Sequence, residues 1–328
     1  MEKSNYYKTL IKEAQKLSPK YKIGDIEGIS NHLPMCLHAR HMLGASIEQL
    51  ERFYESYIES LELKNQDVLE NFNWIEHLGK HKFSAEYSKF FNQQILENGI
   101  NNTLEHYLPI LFKGVGGAAF HPLIRLSYAL EMKDDSEVAE ALASWCMGYL
   151  ELNSAIEDTN RFATEIITTL SLLEITDDDI SAPSVYLRMK KANGLKLFKS
   201  DVQNPKNLKV NELADLALKV FLSEQNFTTL HMITATHALR LVLPYIRNKK
   251  EALKYYWIAF ASTYISVKSP SVENLISDAP ILSWKELSNK AIKSDDDHWC
   301  KFVYTCMEED DVYTDNRYLI AANLYLKD

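Results

Sequence analysis

Apolar residues recur at intervals of three and four along most of the chain, which is the periodicity of an amphipathic α-helix and not of a strand. Only ten glycines and nine prolines interrupt this pattern, so few positions break helices. The pattern therefore predicts an all-α fold. The clearest helices are predicted over residues 46–63 and 136–152, because each begins at a serine followed closely by a glutamate, as at a capped helix start.

Two stretches in the second half of the chain lack the helical periodicity. Residues 177–208 are rich in aspartate and lysine and contain two prolines, and residues 267–281 are rich in turn-forming residues, so both are predicted to be loops. Neither is long enough to link two domains, which favours a single compact domain over residues 1–328. Further helices are predicted over residues 211–222, 227–246, 250–266, 297–308 and 316–326.

The predicted helices form four hairpins, and the first helix of each hairpin carries a histidine. The four histidines are His32, His121, His231 and His298. A helical hairpin cannot bury its apolar face alone, so we expect the four to pack around a common axis and bring the histidines together around a central cavity. The alternative is that the hairpins resemble one another by composition alone.

Composition and charge narrow the possible functions. A hydrophobic share of 46% in 328 residues is ample for a buried core, while a net charge of -9 leaves no general basic surface for nucleic acid. No secretion signal and no apolar run of membrane length are found, so we expect a cytoplasmic protein. The four cysteines show no CxxC spacing and are predicted to be buried, reduced thiols.

The histidines are the strongest candidates for chemistry. Imidazole nitrogen binds zinc, iron, copper or nickel, and a site built from several histidines suits a redox-active or Lewis-acid metal. Each histidine taken alone is better explained as an ordinary core or surface residue. Their repeated placement, however, makes His32, His121, His231 and His298 candidate metal ligands.

Lys301 lies three residues after His298, so both side chains project from one face of a helix. A protonated amine would be repelled by a metal ion. Lys301 could join such a site only as a carbamate, which forms with carbon dioxide and offers an anionic oxygen ligand, or act as a base if its pKa were lowered. The alternative is a surface ion pair with Asp297 or Glu308.

Three other features accompany the candidate ligands. Arg125, four residues after His121, faces the same way and could orient a ligand or an anionic intermediate; a structural salt bridge is the alternative. His237 follows His231 by six residues, about 240° further around a helix, and is predicted to be a supporting or core residue. The glycine-rich run 114–122 lacks dinucleotide-binding spacing and is predicted to let the backbone approach a neighbour closely before His121.

Five stretches, spread in order over nearly the whole chain, resemble the questin oxidase-like family. They are NHLPMCLHARHMLGAS from residue 31, FHPLIRLSYALE from residue 120, HMITATHALR from residue 231, DDDHWCKFVYTC from residue 295 and DNRYLIAANLY from residue 315. Fungal members of this family oxidise anthraquinones and related ketones by inserting oxygen and cleaving a ring, so the resemblance implies an oxygenase. The resemblance also implies that the metal is iron and that the four histidines are its ligands. Lys301, in the carbamate form, is implied as a fifth ligand.

Three hypotheses for the function result. The leading one is a non-haem iron (Fe2+) oxygenase that takes dioxygen and a small, hydrophobic, aromatic or quinone-like ketone, with Arg125 or Lys301 stabilising an enolate or peroxide. Some family members are described as NADPH-dependent Baeyer-Villiger oxidases, so the resemblance also implies a metal-free, NADPH-dependent monooxygenase as an alternative. The third is a non-catalytic helical-repeat scaffold, which gives no reason for a histidine in each hairpin. The sequence does not predict an oligomeric state.

Overall fold

The computed structural model describes residues 3–20, 31–64, 68–69, 72–272 and 281–325. Within these residues almost every regular element is a helix, so the all-α prediction is confirmed. The chain divides into two compact units. Unit 1 comprises Met1–Leu96, Tyr128–Met147 and Asp278–Asp328, and unit 2 comprises Glu97–Ser127 and Gly148–Ser277. That the chain is a single domain with a central cavity stays a prediction.

Sixteen α-helices and two short strands lie within the described residues. The helices are α1 (Lys3–Gln15), α2 (Leu33–Met42), α3 (Ile47–Ile58), α4 (Ser84–Leu111), α5 (His121–Met132), α6 (Asp135–Met147), α7 (Ala163–Leu170), α8 (Asp177–Ile180), α9 (Val185–Asn193), α10 (Lys196–Asp201), α11 (Val210–Ser223), α12 (Phe227–Val242), α13 (Lys249–Ser266), α14 (Trp284–Ala291), α15 (Trp299–Tyr313) and α16 (Arg317–Leu324). The strands are β1 (Leu17–Pro19) and β2 (Leu61–Leu63). The five helices predicted in the last third of the chain are confirmed as α11, α12, α13, α15 and α16, with shifted ends.

Helix α3 begins where the sequence predicted. The Ser46 hydroxyl accepts the backbone N–H of Gln49, and the Gln49 side chain accepts the N–H of Ser46, which completes a capping box. The predicted end at residue 63 was wrong, because Leu61–Leu63 leaves the helix and pairs with Leu17–Pro19 as an antiparallel strand. In this strand Leu61 is 5% exposed and Leu63 is 75% exposed, so the apolar spacing that suggested a longer helix belongs to a half-buried strand.

The predicted bounds of α6 were also wrong. The helix ends at Met147 instead of residue 152, directly before Gly148. Its start is capped by Asp134, whose carboxylate accepts the N–H of Glu137 at 2.9 Å, and not by Ser136, which lies inside the first turn. Aspartate and serine are equally good capping residues, so the sequence could not choose between two positions two residues apart.

The loop predicted over residues 177–208 was wrong, because this stretch contains the three short helices α8, α9 and α10. Thr176 caps α8 and Ser184 caps α9 through their hydroxyl groups. Helices of four to nine residues show too few turns for their periodicity to stand out from a polar sequence. Of the second predicted loop, residues 267–272 contain no helix or strand, and residues 273–280 lie outside the described part of the chain.

In unit 1, α2 is the central element. It packs against α1, α3 and α15, and every residue from Leu33 to Arg40 is buried, as expected of a helix surrounded by others. The guanidinium of Arg40 lies 3.6 Å from the ring centre of Phe53 and donates to the carbonyl oxygens of Ala291 and Ser294. This one cation therefore ties α2 to α3, to the last residue of α14 and to the backbone just beyond that helix.

In unit 2, the packing is built on α12 and α13. These two helices pack against each other, α11 packs against α12, and α9 packs against α13. Nearly all of α12 is buried, including its polar threonines, whose hydroxyls return to backbone carbonyls of the preceding turn, as at Thr236. The polar side chains of α12 are therefore buried and held in place by hydrogen bonds to the backbone of their own helix.

Among the described residues, none of the helices combines the length and the apolar character that crossing a membrane requires.

The four cysteines, Cys36, Cys146, Cys300 and Cys306, are buried and none is in a disulfide. The prediction of buried reduced thiols is therefore confirmed.

A buried histidine in unit 1 makes the stability of the fold depend on pH. The Tyr7 hydroxyl lies 2.7 Å from His38 Nδ1, and the nearest carboxylate, on Glu131, is 3.8 Å from Nε2, beyond hydrogen-bonding distance. Burial, assisted by the neighbouring His41, lowers the pKa of His38 to about 4. His38 is therefore neutral in the folded protein near neutral pH.

We predict that stability falls as the pH drops from about 6.5 towards 4. An unfolded histidine has a pKa of about 6.5, so between these values the unfolded chain binds more protons than the folded one. The free energy of unfolding, measured by urea titration at pH 7 and pH 5, should fall in both the wild type and His38→Gln. The loss should be smaller by about 2 kcal/mol in the variant. Equal losses in the two proteins would contradict the prediction.

Candidate functional site

Unit 1 brings together two of the four predicted histidines. His32 precedes α2 and His298 precedes α15, each in the capping position of its helix. Because α2 and α15 pack against each other, the two helix starts lie side by side. The imidazole rings meet edge to face, with centroids 4.9 Å apart. The structure therefore forms the first histidine pair from residues far apart in sequence.

Asp297 fixes both rings of this pair. One carboxylate oxygen lies 2.7 Å from His32 Nδ1 and the other lies 2.5 Å from His298 Nδ1, and the Tyr57 hydroxyl donates to the first at 3.1 Å. An ionised carboxylate only accepts hydrogen bonds, so each Nδ1 carries the proton and each Nε2 carries a lone pair. The carboxylate thus assigns Nε2 as the nitrogen of each ring that can bind a metal ion.

Burial and the charge of Lys301 keep the imidazoles of this pair neutral. Burial, assisted by the nearby Lys301, lowers the pKa of His32 to about 3, and the same two causes lower the pKa of His298. Burial alone would raise the pKa of Asp297, but interactions with His32 and His298 hold it below its usual range. The cluster is therefore an ionised carboxylate between two neutral rings, which is the protonation state that metal binding requires.

Lys301 is buried beside the same cluster. It lies three residues after His298 on α15, and its side chain is only 5% exposed. The surface ion pair considered as an alternative is not formed: no hydrogen bond or ion pair of the Lys301 ammonium is seen within the described residues. The ammonium of Lys301 is close enough to the Asp297 carboxylate to help hold the pKa of that carboxyl below its usual range.

Unit 2 holds the other two predicted histidines as a second pair. His121 is the first residue of α5, and His231 lies one turn into α12. His121 Nδ1 is 2.5 Å from the Ala118 carbonyl oxygen, and His231 Nδ1 is 2.6 Å from the carbonyl oxygen of Phe227. A carbonyl only accepts, so both Nδ1 atoms donate and both Nε2 atoms carry lone pairs.

The two Nε2 atoms of this second pair lie 3.3 Å apart. With both protons on Nδ1, neither Nε2 has a proton to donate, so two lone pairs face each other unless a cation lies between them. Metal–nitrogen bonds are about 2.0–2.1 Å long, so 3.3 Å is a separation that two ligands of one ion can have. The donor set of neutral imidazoles fits zinc, copper, nickel or iron.

A strained turn positions His121. Ala118, Ala119 and Phe120 have φ values of 45°, 53° and 65°, a left-handed conformation that is costly for residues other than glycine. Just before them, a Cβ on Gly117 would lie 1.9 Å from the carbonyl oxygen of Gly148, so the close approach predicted for this glycine-rich run is confirmed. The turn places the Ala118 carbonyl against the His121 ring.

The other predicted residues lie near the second pair. Arg125 is buried one turn after His121 on α5. His237 is buried on α12, with its Nδ1 3.4 Å from Arg240 Nη2. A guanidinium only donates, so His237 uses Nδ1 as an acceptor, opposite to His231. This agrees with a supporting or core role for His237.

Sequence reasoning missed two members of the first pair's surroundings. Asp297 was considered only as a surface partner of Lys301, and Tyr57 was not singled out. The signal for Asp297 was its place directly before His298 in a run of three aspartates. Tyr57 comes from α3, and its contact with Asp297 follows only from the packing of α3 and α15 around α2.

Comparison with known proteins gives two findings. A family model described as questin oxidase-like matches residues 29–306 of the chain, a region that includes all the predicted site residues. Oxidoreductase AflY of Aspergillus parasiticus is 29% identical over 143 aligned residues, which cover 38% of this chain and 28% of that relative. The chain thus aligns with well under two thirds of the length of this curated relative.

We predict that Asp297→Asn weakens metal binding. Asparagine offers one acceptor oxygen in place of two, so it cannot hold both Nδ1–H groups, and loss of such a supporting group lowers metal affinity by about 10–100-fold. The affinity is measured for Zn2+ by competition with a chromogenic chelator. Asp296→Asn is the matched control, because asparagine can still accept the N–H groups of His298 and Trp299 that Asp296 caps. Equal affinities for the two folded variants would contradict the assignment.

Proposed function

The chain belongs to the questin oxidase-like family, and from this premise we propose that it is an oxidoreductase of the oxygenase class that uses non-haem iron. Its metal ligands are His32, His121, His231 and His298. Its substrates are dioxygen and a small, hydrophobic, aromatic or quinone-like ketone, into which it inserts oxygen or whose ring it cleaves. The relative AflY carries the name oxidoreductase, which supports the reaction class.

The observation that carries this proposal is the direction of four imidazole hydrogen bonds. Every one of the four histidines donates from Nδ1 to an oxygen, either of the Asp297 carboxylate or of a backbone carbonyl. Four histidines chosen from sequence for metal binding thus share one orientation, and it is the orientation by which proteins present Nε2 to a metal. Iron, when bound, supplies the one-electron chemistry that lets dioxygen react with an organic substrate.

Lys301 is the fifth ligand in this proposal, as a carbamate formed with carbon dioxide. Carboxylation replaces a buried cation by an anion with two acceptor oxygens. The change removes the repulsion between the ammonium and a metal ion, and it suits the hard character of iron. The support is the burial of Lys301 beside His32 and His298 without an ion pair in the described residues. If Lys301 stays unmodified, it serves as a base for the substrate.

Two residues of unit 2 support an aromatic ketone as the substrate. The ring of Phe227 is 45% exposed and meets His231 edge to face, with centroids 4.5 Å apart, so it offers an aromatic surface beside a candidate ligand. Arg125 places a buried cation one turn from His121, where it stabilises the negative charge that develops on a ketone oxygen.

The test is the metal content of the purified chain. Protein prepared without oxygen and loaded with Fe2+ should hold about one iron per chain by elemental analysis, in line with one set of ligands. His298→Ala and His121→Ala, one from each pair, should each lose most of it. Lys301→Ala should also lose iron, and added acetate should restore part of the binding, because acetate supplies the missing carboxylate.

The matched control is His237→Gln, which replaces a buried histidine of α12 and keeps an acceptor for Arg240; it should retain iron. Wild-type protein with bound iron should consume dioxygen when a quinone-like ketone is added. Less than a tenth of an iron per chain after loading would overturn the proposal. Ketone-dependent oxidation of NADPH by such iron-free protein would point to a metal-free monooxygenase, and neither activity would point to a binding scaffold.

A further inference from the structure

Two cysteine thiols meet in the core of unit 1. Cys36 lies on α2 and Cys300 on α15, and both are fully buried. The Cys36 sulfur is 3.1 Å from the backbone carbonyl oxygen of Asp297, and the Cys300 sulfur is 3.8 Å from the same oxygen. Each of the two thiols also influences the pKa of the other. Two residues distant in sequence thus place their sulfur atoms around one oxygen.

The presence of a neighbouring thiol distinguishes Cys36 and Cys300 from the other two cysteines. Cys146 and Cys306 are buried to the same degree, and Cys306 even shares α15 with Cys300. Within the described residues, however, neither shows a contact with a second thiol. Burial alone therefore does not distinguish the four cysteines, whereas the presence of a thiol partner does.

We propose that Cys36 and Cys300 are an oxidation site that peroxides convert to an intramolecular disulfide. In the first step one thiol attacks hydrogen peroxide, which yields a sulfenic acid and one water. The second thiol then displaces the hydroxyl group of the sulfenic acid, which forms the S–S bond and releases a second water. In total the two thiols lose two electrons and two protons, and the peroxide is reduced to two waters.

The geometry supports a disulfide in preference to further oxidation of one sulfur. A sulfenic acid that has a thiol within contact distance condenses with it, whereas an isolated one proceeds to the sulfinic acid. The two sulfur atoms lie around one carbonyl oxygen between two packed helices, so a shift of the helix starts can bring them to the S–S length of about 2.05 Å. Hydrogen peroxide is small and uncharged enough to reach a buried thiol through local opening of the helix starts.

Oxidation of Cys36 and Cys300 changes the hydrogen bonds of Asp297, the residue that holds the first histidine pair. Both thiols donate to the backbone oxygen of the residue whose carboxylate holds His32 and His298. A disulfide removes both donors at once and draws the starts of α2 and α15 together. The site itself does not need the metal or the proposed activity, so it can be tested on metal-free protein.

The experiment treats the metal-free full chain with hydrogen peroxide, unfolds it in iodoacetamide and measures the intact mass. The untreated chain should take up four alkyl groups, one for each cysteine. The treated chain should take up two and be lighter by two hydrogens before alkylation. Proteolysis should then release one cross-linked peptide pair that contains Cys36 and Cys300, and dithiothreitol should restore all four thiols.

Cys36→Ser and Cys300→Ser should each abolish the cross-link, while Cys306→Ser should leave it unchanged. Circular dichroism checks that each variant is folded, and the peptide map of the wild type decides the matter even if one variant is not. Oxidation spread evenly over the four cysteines, or sulfinic acid at one of them without a cross-link, would overturn the proposal. Equal outcomes with and without a chelator would confirm that the result is independent of bound metal.

Discussion

Each of the two ring nitrogens of a buried imidazole needs a partner, either a hydrogen-bonding group or a metal ion. The rest of the structure depends on how this requirement is met at the four candidate ligands. A neutral ring has one nitrogen that donates and one that accepts, so fixing the proton on one side decides the chemistry of the other. At all four candidate ligands the fixed side is Nδ1, held by the Asp297 carboxylate or by a carbonyl one turn earlier. The helices that matter most are those that bring an oxygen to Nδ1.

The two units meet this requirement in different ways. Unit 1 uses a charged group, and the ionised Asp297 is itself tolerated because two rings and the Tyr57 hydroxyl donate to it. Unit 2 uses backbone carbonyls, and at His121 the carbonyl is delivered by three consecutive left-handed residues. Strain of this kind persists only where the surrounding packing holds it, here by the contact of Gly117 with Gly148.

Much of the fold could be predicted from periodicity and capping residues, since a long amphipathic helix such as α11 shows its buried face in the spacing of its apolar residues. The end of α3 could not be predicted, because Leu61 fits both the spacing of a helix and the alternation of a strand. Only the pairing of β2 with β1 shows that this residue belongs to a strand. Helices α8 to α10 could not either, because a helix of one or two turns depends on its caps and on its neighbours more than on its own pattern.

For the candidate site, the sequence provided the four histidines and the buried lysine but not the way they pair. Spacing along the chain relates His121 to Arg125 on one helix, whereas the neighbours of His121 include His231, which only tertiary packing brings near. The role of Asp297 was hidden for the same reason: a residue in an acidic run reads as solvent-exposed until the helix beside it is known. The packing of α2 against α15 turns that aspartate into the support of two rings.

The most direct test of the shared orientation is two-bond 1H–15N NMR on protein with 15N-labelled histidine rings, with assignments from single histidine variants. At pH 7 the metal-free protein should show His32, His121, His231 and His298 as neutral rings with the proton on Nδ1, and Zn2+ should shift their Nε2 resonances. His237 should show the opposite tautomer and no shift. Protons on Nε2 in either pair, or Nε2 resonances that do not respond to Zn2+, would contradict the account.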